Sequence, residues 1–85
     1  MAYTFEVRQI EALASPDGWE YNLVWGIGTF KTSASDVRRA LTAYMRRELG
    51  ITFQRGTIRI EDDGDYITIF DRFTGEPLFD AICLR

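Results

Sequence analysis

The chain has 85 residues, 46% of them hydrophobic and 27% charged, with a net charge of −3. That length suits one domain spanning 1–85, because either half would fall near the roughly 40 residues below which chains need staples to fold. The composition is that of a folded globular protein. Histidine is absent, which removes Ser-His-Asp and Cys-His catalysis, imidazole bases and His-containing zinc sites.

The single cysteine, Cys83, cannot form an intramolecular disulfide, and it reads as an inert thiol in a hydrophobic strand. Residues 1–8 lack the basic-then-apolar pattern of a signal peptide. No stretch approaches the ~18 apolar residues of a membrane span. The expectation is a cytoplasmic chain with no membrane association.

Tyr3, Phe5 and Val7 fall on one parity and Ile10 and Ala12 on the other. The spacing predicts a strand over Tyr3 to Leu13, with a bulge near Arg8 or Gln9 that switches faces. A turn at Ala14-Ser15-Pro16-Asp17-Gly18 returns the chain into a second strand, where Trp19, Tyr21, Leu23, Trp25 and Ile27 alternate with Glu20, Asn22, Val24 and Gly26. The first unit is therefore a hairpin. Gly28 is expected to allow a bulge that re-aims Phe30 into the core, or to let an aromatic ring pack flat on the strand.

Ser33 is placed to cap a helix, with Asp36 as the acidic partner of a capping box. Val37, Ala40, Leu41, Tyr44 and Met45 follow at helical spacing, and Gly50 suits a left-handed stop. Arg38, Arg39, Thr42 and Arg46 take the opposite face, with Arg47 at its edge. Beyond Gly50 the period becomes two. Ile51 and Phe53 form a short extended stretch, Ile58 and Ile60 continue it after Gly56, and Asp62 to Asp65 form a hairpin turn. Tyr66 to Phe70 and Leu78 to Leu84 complete a three-stranded meander around the turn at Phe73 to Pro77.

The expected fold is α+β, in the order ββαβββ, with one antiparallel sheet and one amphipathic helix packed on one face. A helix ~10 Å wide covers about half of five strands spaced ~4.8 Å apart. The sheet must therefore curl around the helix, or another molecule must cover its second face.

Three constellations bear on function. The acids Glu61, Asp62, Asp63 and Asp65 could hold a hard cation, but their spacing departs from an EF-hand loop and suits a solvated turn. Gly26-Ile27-Gly28 lacks the third glycine of a dinucleotide fingerprint, since Lys31 stands there. No cofactor is implied.

The third is the basic helix. From Lys31 to Arg59 there are seven basic residues against two acidic, a balance of +5, while Glu61 to Asp80 has a balance of −6. Arg38, Arg39, Arg46 and Arg47, extended by Lys31, Arg55 and Arg59, could contact nucleic-acid phosphates or an acidic protein surface. The same arginines also suit a solvated helix face complementing the helix dipole. Trp19, Tyr21 and Trp25 share one face of the second strand, where they would serve core or dimer packing or stack bases.

Three segments, Tyr3 to Glu11, Gly50 to Gly56 and Asp71 to Phe79, together about a third of the chain, resemble small uncharacterised proteins carried by bacterial mobile elements. The resemblance implies a bacterial cytosolic accessory protein that touches nucleic acid or a host protein, with no catalytic residue to carry over. The leading expectation is a non-enzymatic interaction module whose partner is a protein or a second copy. A nucleic-acid-binding accessory and a carboxylate-based, metal-dependent enzyme are the alternatives.

Overall fold

A computed structural model describes residues 2–33 and 35–84. The order is β1 (Tyr3–Ala14), β2 (Glu20–Thr32), α1 (Val37–Glu48), β3 (Ile58–Asp62), β4 (Tyr66–Asp71) and β5 (Pro77–Leu84). All five strands form one antiparallel sheet in the order β2-β1-β5-β4-β3. The α+β arrangement is thus the expected one, with the hairpin and the meander joined through β1 and β5.

The helix side holds the core. Phe5, Val7, Leu41, Met45, Ile67, Ile69 and Ala81 are buried together, flanked by Ile27, Phe30, Val37, Tyr44, Leu49, Ile51, Phe53, Phe79 and Cys83. Each large aliphatic or aromatic side chain fully removed from water contributes roughly 1.5–3 kcal/mol. Cys83 is a free thiol packed against this cluster. Phe30 stacks on Phe5 at 5.6 Å and on Tyr44 at 5.1 Å between ring centroids, which ties both strands at the open end of the hairpin to the helix.

Three details differ from the sequence reading. The bulge lies across from its expected place: Val7 pairs with Gly28 and Arg8 with Gly26, so Ile27 of β2 is the extra residue. β1 keeps its alternation because its other side pairs continuously with β5, from Thr4 opposite Leu84 to Gln9 opposite Phe79. The helix cap is Asp36, not Ser33; its carboxylate accepts from the Arg39 N–H at 3.2 Å. β2 runs on to Thr32, which leaves Ser33 too close to the strand to open a helix. Ile51 and Phe53 form no strand, because their side chains are drawn onto the core as the chain descends from the helix.

Gly28 sits directly under the helix. A Cβ at this position would overlap the hydroxyl of Tyr44 and lie 3.6 Å from Leu49 Cδ2. Gly28 thus makes room for the Tyr44 hydroxyl against the strand, and it borders the bulge at Ile27, beyond which Phe30 packs on the core. Gly50 is left-handed at φ 66°, and the N–H groups of Leu49 and Ile51 both bond to the Met45 carbonyl.

Candidate functional site

The hairpin is longer than the sheet it joins. β1 pairs with β5 only from Thr4 to Gln9, whereas its pairing with β2 continues to Ala14 opposite Glu20. The remaining residues form a two-stranded arm, set off from the β4–β5 turn by a cleft between Leu13 and Tyr21 on one side and Gly75 and Pro77 on the other.

The arm carries the exposed aromatic surface. Tyr21, Leu23 and Trp25 lie opposite Leu13, Glu11 and Gln9, alternate positions of β1, and so share one face. They are 48%, 46% and 40% exposed, and Val24 on the reverse face is 42% exposed. None belongs to the core cluster. Trp19 precedes the strand: its N–H bonds to Ser15 Oγ and its carbonyl accepts from the Ser15 N–H, which fixes the tip of the arm and leaves the indole 74% exposed. The expected core role does not hold for these aromatics, because α1 covers β2 only from Gly28 onward.

The arginines of the helix divide between several neighbours. Arg38 lies 4.0 Å from both Asp36 and Asp62, so part of the acidic third neutralises the start of the helix. Arg46 and Arg55 flank a groove floored by Ile51, Phe53 and Ile58. Arg47 borders a different groove, between the helix and Lys31 of β2. Arg59 leaves the group altogether: Ile58 and Ile60 face the core, and Arg59 projects on the opposite side, bonded to Glu61 and 4.3 Å above the Phe70 ring. Among the described residues Arg39, Arg46, Arg47 and Arg55 form no ion pair.

The second face of the sheet holds a polar centre that the sequence reading missed. Arg8, Asp80 and Thr68 are aligned across β1, β5 and β4. Arg8 grips Asp80 with Nε to Oδ1 at 2.8 Å and Nη2 to Oδ2 at 2.7 Å, and the Tyr66 hydroxyl donates to Oδ2 at 2.8 Å. The bond to Asp80, above all, holds the Arg8 guanidinium above its ordinary pKa. Burial, then the bond to Asp80, pushes the Tyr66 phenol up. A lone Asp inside Leu78-Phe79-Asp80-Ala81-Ile82 was the available signal, since a charge in an apolar strand requires a partner.

The acidic turn is organised by its own backbone. Asp62 Oδ1 accepts from the Gly64 N–H at 2.7 Å, and Asp63 N–H bonds to the Tyr66 carbonyl. Among the described residues no three Cys, Asp or Glu side chains stand close enough to share a metal ion. No helix among them is long and apolar enough to cross a membrane.

The chain matches no protein-family model, no curated protein and no solved structure. The site must therefore be read from its own chemistry.

Proposed function

We propose that the chain is a non-enzymatic interaction module that binds a protein surface through the β1–β2 arm. One observation carries this reading: Tyr21, Leu23 and Trp25 form a half-exposed apolar row on the part of β2 that the helix does not cover, with Trp19 at its tip. Interface centres favour aromatic residues, which supply large contact area at small entropic cost. Such a continuous exposed patch is unusual on a surface with no partner. The lone cysteine and the resemblance to proteins of bacterial mobile elements support a bacterial, cytoplasmic setting for the module.

A photo-crosslinking residue at position 21, in the chain expressed in cells, tests the reading. A discrete protein adduct is expected at Tyr21 and none at Arg72, a control on the β4–β5 turn. The same adduct pattern at both positions would overturn it.

A second reading has one observation in its favour: Arg39, Arg46, Arg47 and Arg55 are free of ion pairs among the described residues. As a nucleic-acid accessory the chain would shift DNA or RNA in a salt-sensitive way, and Arg39→Glu with Arg46→Glu would abolish the shift. No shift by the wild type at low salt would end that reading.

A further inference from the structure

The two edges of the sheet are built differently. β3 carries Arg59, Glu61 and Asp62 among its five residues, the charged composition that discourages pairing with another chain. β2 runs from Tyr21 to Phe30 without a charge or a proline. Among the described residues its backbone ladder is to β1 alone. A row of N–H and C=O groups therefore faces outward along the uncharged edge.

Glu20 and Lys31 close that edge at its two ends. They are an odd number of residues apart, so on a regular strand they would point to opposite faces. The bulge at Ile27 reverses this. Glu20 lies opposite Ala14 and Lys31 opposite Thr4, both even positions of the regular strand β1, so the two side chains share the face away from the helix.

We infer that β2 pairs antiparallel with β2 of a second copy, with Glu20 of each opposite Lys31 of the other. The inference rests on the arm being the binding surface and names its occupant. In this register Tyr21 meets Phe30, Asn22 meets Thr29 and Leu23 meets Gly28, and the bulge puts both members of each pair on one face. The two bulges flank the dyad and divide the contact into two equivalent ladders. Tyr21 and Leu23 come down beside Phe30 and the Tyr44 hydroxyl that fills the space over Gly28. The assembly closes at two copies, because each has one uncharged edge and its other edge is charged.

Fully buried aromatic side chains remove ~150–250 Å² each, so at the exposures of Trp19, Tyr21 and Trp25, with Leu23, the arm contributes about 400 Å² per copy. With the backbone edges the contact reaches about 1,000 Å², the size of a weak, reversible association.

Sedimentation equilibrium of the full chain from about 1 μM to about 1 mM, the span of weak association, tests the register. A monomer–dimer equilibrium is expected. Glu20→Lys and Lys31→Glu each oppose like charges at both ends of the contact and weaken it by about tenfold. The double variant, or a mixture of the two single variants, restores it. Circular dichroism of each variant checks that these exposed substitutions leave the fold intact. A wild-type monomer at every concentration, or single variants with unchanged dissociation, overturns the inference. If the chain stays monomeric yet Tyr21 crosslinks to a different protein, the second copy is excluded and the interaction reading stands; if Tyr21 also crosslinks to nothing, both fall.

Discussion

Arg8 and Asp80 form a bidentate ion pair on the face of the sheet away from the helix, with the Asp80 side chain 1% and the Arg8 side chain 27% exposed. Among the described residues no second layer of structure covers this carboxylate. Arg8 donates two hydrogen bonds to it and the Tyr66 hydroxyl a third. The pair joins the hairpin to the meander, at the β1–β5 junction, which among the described residues is the one strand pairing between the two halves of the chain.

Removing one partner should therefore cost far more than removing both. Arg8→Ala leaves a buried carboxylate with one neutral donor, and a loss of about 3 kcal/mol is expected. Arg8→Met with Asp80→Leu should lie within about 1 kcal/mol of the wild type. Urea denaturation of the single and double variants measures both. Equal losses in the two variants would show the pair to be ordinary surface charge.

Tyr66→Phe deletes the third member and should cost about 1 kcal/mol. The phenol is raised above 10.0 in the folded state by burial and by the bond to Asp80. Its contribution is complete below the unfolded value and is lost as pH rises through the folded one, since the unfolded chain ionises first. Thermal melts from pH 9 to 12 should fall more steeply for the wild type than for Tyr66→Phe.

Gly28 meets the helix through Tyr44. Gly28→Ala should lower stability by about 1–3 kcal/mol through overpacking, because stacking on Phe30 prevents the Tyr44 ring from withdrawing freely. Adding Tyr44→Phe removes the overlapping hydroxyl, leaving the ring carbon 3.3 Å away, and should recover part of the loss. If the second substitution worsens the defect, the contact is not the cause.

Asp71 organises the β4–β5 turn by accepting from the N–H groups of Thr74 at 3.0 Å and Phe73 at 2.8 Å. Those bonds, Thr74 first, hold its carboxyl below the ordinary 3.8. The stabilisation is present above that value and lost as pH falls through the lower, folded one. Asp71→Asn should flatten the acid limb of a pH–melting profile below pH 4, with little change in slope at neutral pH.

The arm aromatics should behave as surface. Trp19→Ser with Tyr21→Ser should change stability by less than about 0.5 kcal/mol, as is usual away from the core, while weakening the self-association read by sedimentation equilibrium. A large stability loss in chemical denaturation would return these side chains to a structural role.

Local patterns were legible because they depend on near neighbours. The period of two in Tyr3 to Val7, the helical stripe of Val37, Leu41, Tyr44 and Met45, and the turns at Gly18, Gly64 and Gly75 all led to elements close to those observed. Ser33 misled as a cap because the length of β2 depends on its pairing with β1. Ile51 and Phe53 misled as a strand because alternation alone cannot distinguish a ladder from a descending loop whose apolar side chains meet the core.

The sequence by itself determined the order of elements, the charge segregation, the absence of imidazole chemistry and the aromatic richness of the second strand. Tertiary structure alone decided three things: that Ile27 is the bulged residue, that Arg8 and Asp80 meet, and that Tyr21, Leu23 and Trp25 lie outside the core. Each depends on register between residues far apart in the chain. A shift of one residue exchanges the faces of a strand, and only the packed sheet fixes which register is taken.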